Sequence, residues 1–333
     1  MARVARCVRW LGTVVGLAAA TLGVPGPAQA QPKPNPNIIM FSGGFTDPFF
    51  GAMKKGADDA AKALGATYQY VTITDRSDVM GNYVRLLEQS VARKPDVLVM
   101  SNFFPNAMDP IVQKAVHDGI TVVFMNAGKG SRAKDGAILY VGEEPYQMGK
   151  VAGERMAKAG RKHGLCVNHA PGAAALEERC RGFTEALKAA GVNAQTLSIT
   201  AEQSQNRQAV VQAIRGVLSA TPTIDGVFTL GSAKSEEAVM AVEQLQKLGS
   251  IQVGTTDISQ QNLQLVKDGK LTFVLDQQPY LQGFLALSAG MMYSKYRLVP
   301  ADDITTGPFV ITKDNIAEVL DINKTYAGVR GSL

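Results

Sequence analysis

Histidine, cysteine and tryptophan are scarce in this sequence: three, three and one. The histidines, His117, His163 and His169, stand far apart and no cysteine pair has ligand spacing, so the sequence supports no metal site. Also missing are the GxSxG turn that exposes a nucleophilic serine, the GxxxxGK(S/T) loop that cradles phosphate and the HExxH pair of zinc proteases. An enzyme is therefore not expected, and no cofactor is implied. After residue 30 no apolar run is long enough to cross a bilayer.

What is present is the composition of an ordinary globular protein, 333 residues with 46% hydrophobic and 19% charged, enough for two domains. The first thirty residues differ from the rest: Arg3, Arg6 and Arg9 open a basic start, residues 11–22 are apolar, and Ala28-Gln29-Ala30 forms a small-residue cleavage site. They read as a secretory signal peptide over 1–30, followed by a Pro-rich leader over 31–35 that is expected to be disordered. Removing the three arginines lowers the formal charge from +5 to +2, which is no nucleic-acid footprint. Cys7 precedes the apolar stretch and so cannot carry a lipid at the cleavage point. Cys166 and Cys180 remain in an oxidising compartment, where they can pair or sit apart as small apolar residues.

The stretch at 37–64, NIIMFSGGFTDPFFGAMKKGADDAAKAL, combines a four-residue apolar run, a glycine turn and a helix start at Asp47-Pro48. Phe50, Met53, Ala57, Ala60, Ala61 and Leu64 fall at helical spacing on one face. From there strands and helices alternate. Strands are expected at 38–41, 68–73, 97–100, 122–125, 165–167, 194–199, 227–230, 251–255 and 271–275. Helices are expected at 79–92, 107–117, 147–159, 203–218, 235–248 and 281–293. Such alternation predicts an α/β fold of parallel sheets covered by helices, with ligands at the strand carboxyl ends. AAKALGATYQYV at 60–71 and EALKAAGVNAQTL at 185–197 echo each other, which suggests two similar lobes, with Gly65 and Gly191 at left-handed helix ends.

TDPFFGAMKKGADDAAKALG, KPDVLVM, AVHDGITVVFMN, EERCRGFTEAL, IQVGTTD and VLDQQPYLQG occur in order along the mature chain. Together they resemble the ribose-binding-protein family of periplasmic sugar receptors. The resemblance implies two Rossmann-like lobes joined by a three-strand hinge, a small neutral sugar or polyol held between them, and delivery to the membrane permease of an ABC importer. It also implies a monomer in the periplasm and leaves open recognition by a chemoreceptor. Crossings would fall near 126–142, 276–279 and 300–307. The N-terminal lobe would be 36–138 plus 279–301 and the C-terminal lobe 139–278 plus 302–330.

Sugar hydroxyls call for planar polar side chains and aromatic faces. By position, Asp47, Phe49, Phe50, Asn126, Arg179, Asp257 and Gln277 match the family's ligand contacts. Asp47 and Asp257 can equally serve as helix caps, Arg179 as a surface cation, and Phe50 as a core residue, which makes Phe49 the better stacking candidate. Asn102, Asp276 and Gln278 are weaker polar candidates, and His169 stands just past a strand end. Ala127 replaces the family's arginine and Gly231 an asparagine, so ribose itself is a doubtful ligand. A nucleoside-type or other small-molecule receptor is the alternative, although its usual lipid-bearing cysteine is missing. A lac-repressor-type regulator would need an N-terminal helix-turn-helix where this chain has a leader.

Overall fold

The computed structural model describes residues 32–44, 47–75 and 78–330. The expected signal peptide and Gln31 lie outside the described residues. Residues 32–35, expected to be disordered, run along the body: the Lys33 amide donates to the Ser294 carbonyl at 3.1 Å, its ammonium pairs with Asp96, and Pro36 just after them is buried.

The first sheet contains β1 (Ile38–Phe41), β2 (Tyr68–Val71), β3 (Val97–Met100), β4 (Thr121–Met125), β5 (Leu139–Gly142) and β11 (Ile304–Thr305). Its order is β11-β5-β4-β3-β1-β2, parallel throughout. The second contains β6 (His163–Asn168), β7 (Asn193–Ser198), β8 (Gly226–Thr229), β9 (Gln252–Thr256), β10 (Phe273–Asp276) and β12 (Phe309–Ile311). Its order is β12-β10-β9-β8-β6-β7, with only the β10–β12 pair antiparallel. The two sheets with their flanking helices make a two-lobe α/β fold.

The burial of each strand follows from its place in the sheet. The central strands IIMF and VLVM are buried at every residue because helices cover both faces. Alternate residues enter opposite layers: Ile38 and Met40 join one core, Ile39 and Phe41 the other. Each such side chain contributes about 1.5–3 kcal/mol by leaving water. At the sheet edge β7 has no fully buried residue, and its sequence NAQTLS is correspondingly polar.

Two sequence boundaries shift. Leu139–Gly142, read as part of a crossing, is a buried strand with Val123 opposite Leu139 and Met125 opposite Val141. Residues 139–142 and 304–305, assigned by resemblance to the C-terminal lobe, therefore belong to the first sheet, where parallel pairing satisfies their backbone groups. The chain passes between sheets just after β5, after β10 and between β11 and β12. The helix expected over 203–218 is broken at Gln205-Asn206, because Asn206 caps a second helix by accepting from the Ala209 amide.

Helix packing repeats between lobes. A Cβ on Gly149 would lie 1.8 Å from the Arg179 carbonyl, and one on Gly283 would lie 1.9 Å from the Met53 carbonyl. Glycine at each place lets two helices touch backbone to backbone. The Pro145–Lys158 helix thereby holds the Ala174–Ala189 helix, and with it Arg179, at fixed height above the second sheet.

Candidate functional site

Strand carboxyl ends of both sheets face a common cleft. On the first lobe, Asp47 caps the Pro48–Leu64 helix, accepting from the Phe49 amide at 3.0 Å. The two phenylalanines then part. Phe49 is 5% exposed and packs in the core with Met53 and Ala57, since positions 49, 53, 57 and 60 form the buried stripe. Phe50 is half-buried, with its ring over Gly43 and edge-on to Phe103, centroids 6.2 Å apart. The aromatic face at the strand ends thus belongs to Phe50 and Phe103, reversing the preference for Phe49. Asn102, two residues past β3, donates to Asp109 at 2.7 Å and is held there.

A continuous polar chain crosses the floor of the cleft. Asn126, just past β4, donates from Nδ2 to Gln277 Oε1 at 3.2 Å, and Gln277 donates from Nε2 to Asp257 Oδ1, just past β9. Asn126 (φ 66°) and Asp257 (φ 72°) both occupy the left-handed region, which Asn and Asp tolerate better than most residues and which turns the chain sharply at the strand end. Backbone strain of this kind gathers at functional positions.

Beside this chain, Arg179 donates from Nε to Glu143 Oε1 at 2.8 Å, and its Nη2 pairs with the same oxygen. Both side chains are withdrawn from solvent, at 3% and 0% exposed. Glu143 sits where the chain leaves β5, so the pair ties the first crossing to the second lobe. Its other oxygen, Oε2, has no hydrogen-bond partner among the described residues. Tyr140 braces the corner, donating to the carbonyls of Asn126 and Glu143 at 3.0 and 2.8 Å.

Burial pushes the Asp257 carboxyl up to about 7, with Asp47 and Glu143 adding to the shift and Arg179 and the Gln277 hydrogen bond opposing it. Glu143 is raised by burial, against the pull of Arg179. His169 is lowered to about 3, by burial first and then by Lys234 and Arg179.

Of the residues expected from sequence, Asn126, Arg179, Asp257 and Gln277 gather at one place, Asp47 and Phe50 flank it, and Phe49 turns into the core. Asp276 instead pairs with Arg330 at 2.9 Å, and the Gln278 amide side chain donates to the Thr306 carbonyl; both act at the crossings. Glu143, Tyr140 and Phe103 were missed. Phe103 follows β3 in SNFF and was visible as an aromatic at a strand end. Cys166 on β6 and Cys180, next to Arg179, form a disulfide, which settles the question left open by sequence. Among the described residues no group of three His, Cys, Asp or Glu could hold a metal, and no helix is long and apolar enough to span a membrane. Two surface pockets, one lined by Lys267, Ile316 and Asp321 and one by Arg161, Gln252 and Lys270, lie away from the strand carboxyl ends.

Two parallel α/β lobes, three crossings and polar groups from both sides of a cleft define a two-lobe binding protein. The chain belongs to the family described as periplasmic binding protein domain, whose profile matches residues 38–297. A xylose/arabinose-binding protein of Sulfolobus acidocaldarius is 29% identical over 317 residues, covering 89% of this chain and 76% of that protein. A D-ribose/D-allose-binding protein of Pseudomonas aeruginosa is 26% identical over 277 residues, covering 81% and 85%. A carbohydrate transporter structure from Acidothermus cellulolyticus in complex with myo-inositol has a TM-score of 0.79 at 29% identity, covering 89% of this chain and all of that one. These relatives are binding and transport proteins.

Proposed function

We propose that this protein is the periplasmic substrate-binding component of an ABC importer and takes a small neutral sugar or polyol between its lobes. The observation that carries the reading is the Asn126–Gln277–Asp257 chain beside the Arg179–Glu143 pair, with the rings of Phe50 and Phe103 packed edge to face on the first lobe. Planar amides and carboxylates can each both orient and satisfy ring hydroxyls, and aromatic faces cover ring C–H groups. Each hydrogen bond to a charged group is worth about 1.5–3 kcal/mol, against about 1 for a neutral pair. Because Asp47, Phe50 and Asn126 belong to one lobe and Arg179 and Asp257 to the other, a ligand touching both sets favours lobe closure. The closed monomer would be what the membrane permease recognises, and a chemoreceptor could read the same surface. The names of the relatives, which concern xylose, arabinose, ribose, allose and inositol, support a polyhydroxylated ligand.

A thermal-shift screen of the purified mature protein against sugars, polyols, nucleosides and amino acids tests the proposal. A raised melting temperature with a sugar or polyol, and none with ATP or metal ions, is expected. A rise with nucleosides alone would move the assignment to the nucleoside-type receptors.

A further inference from the structure

The polar network described above leaves His169 unused. His169 directly follows Asn168, the last residue of β6, and so stands at a strand carboxyl end in the second lobe. Its Nδ1 is buried and has no hydrogen-bond partner among the described residues. Leaving such a nitrogen unsatisfied costs about 1–3 kcal/mol, so a native fold that keeps one in a binding cleft holds it ready for an incoming group.

The surroundings say which group. A Cβ at Gly231 would lie 3.4 Å from His169 Cε1 and 3.9 Å from Nε2, so one edge of the ring rests over a residue with no side chain. The equivalent place in the first lobe, two residues past β3, is filled by Asn102. The second lobe thus has a glycine against an imidazole where the first has an amide. Burial and the charges of Lys234 and Arg179 keep the ring neutral, with one donor and one acceptor nitrogen, matching a hydroxyl. An anionic ligand is not favoured, because both cations are already paired, Arg179 with Glu143 and Lys234 with Glu237 at 3.0 Å.

We infer that His169 is a specificity-determining ligand contact, its Nδ1 bonding one hydroxyl of a neutral polyhydroxylated ligand held beside the end of β6. The inference rests on the sugar reading of the cleft.

The test uses the full mature protein with myo-inositol, D-allose and D-ribose as probes, followed by calorimetry with whichever gives the largest thermal shift. His169→Ala is expected to weaken binding about fivefold, with the melting temperature of the free protein unchanged or raised. His169→Asn, which restores a donor and an acceptor, recovers part of the loss. Among monodeoxy derivatives of the probe, one should lose affinity on the wild type but lose nothing further on His169→Ala; a merely structural histidine would not single out one hydroxyl. Wild-type affinity in His169→Ala, or the same added loss with every derivative, overturns the inference. If His169→Ala folds poorly, His169→Asn with the deoxy series discriminates between the same two outcomes. Should the wild type bind none of the probes, the sugar reading itself fails and takes the inference with it, whereas normal wild-type binding indifferent to His169 rejects the inference alone.

Discussion

Strand for strand the two lobes superpose in order, β2-β1-β3-β4-β5-β11 against β7-β6-β8-β9-β10-β12, yet they set different chemistry at equivalent strand ends. Past the fourth strand of each sheet the chain bends through the same left-handed residue, neutral Asn126 in one lobe and acidic Asp257 in the other. Past the fifth come Glu143 and Gln277. The first-lobe helix brings Asp47 and the ring of Phe50, and the second-lobe helix brings buried Arg179. The fold thus supplies matching positions, while the side chains put the rings of Phe50 and Phe103 in the first lobe and buried Arg179 in the second, its partner Glu143 standing at the end of β5. Buried charge is costly to leave unpaired, so substitutions in the second lobe should cost more.

The sharpest break in that comparison is Arg179→Ala. It leaves Glu143 buried without its partner, a loss of about 3–5 kcal/mol of stability, measurable by urea unfolding. Arg179→Met combined with Glu143→Leu removes both charges and should regain most of that stability, while ligand affinity stays lost. If the single variant is as stable as the wild type, the ionic character of the second lobe is not structural.

Next comes the disulfide, which has no counterpart in the first lobe: there β1 and its helix share a packed core that includes Ile38, Met40, Phe49, Met53 and Ala57. Cys166 and Cys180 are 14 residues apart, and closing such a loop is worth about 3 kcal/mol. Cys166→Ala with Cys180→Ala, or dithiothreitol on the wild type, should lower the melting temperature by equal amounts. Since Cys180 neighbours Arg179, affinity should fall too; loss of stability with affinity intact would separate the bridge from the site.

Much of this was legible in the sequence. The strands expected from apolar runs all appear, and the Asp47-Pro48 helix start is where capping chemistry puts it. β5 was not, because its residues were placed in a crossing, and β11 and β12 were not, because two and three residues are too short to show a period. Missing β5 also hid Glu143, which becomes a cleft residue only once the crossing is moved to its position. PYQMG at 145–149 and PYLQG at 279–283 begin equivalent helices and were an unused sign of the repeat. The order of Phe49 and Phe50 turned on a single residue of helical phase, which a pattern shared by Met53 and Ala57 does not resolve.

Asp257→Asn probes the charge difference between Asn126 and its counterpart by pH. The Asp257 carboxyl is raised from 3.8 to about 7, so between those values the folded protein holds a proton that the unfolded chain releases. Stability contributed by that proton is present below about 4 and is lost as pH rises toward 7. Melting temperatures of wild type and Asp257→Asn should therefore diverge across this window, with the wild type falling relative to the variant and the difference levelling above it. Parallel curves from pH 4 to 8 would mean that the two lobes are electrostatically alike at these strand ends.

The smallest expected effect belongs to Asp47, at the start of the first-lobe helix. Asn caps a helix as well as Asp does, so Asp47→Asn keeps the bond to the Phe49 amide and should leave stability within about 0.5 kcal/mol. It removes a charge that adds to the upward shift of the Asp257 carboxyl, which should ease that shift while weakening any charge-assisted bond to the ligand by about 1 kcal/mol, roughly fivefold in affinity. Asp47→Ala, which loses the cap as well, should lower stability by about 1 kcal/mol and affinity by about 1.5–3 kcal/mol, tenfold to a hundredfold. Calorimetry on both variants separates the two roles: equal wild-type affinity in Asp47→Asn and Asp47→Ala would reduce Asp47 to a helix cap and leave the first lobe without a charged ligand contact.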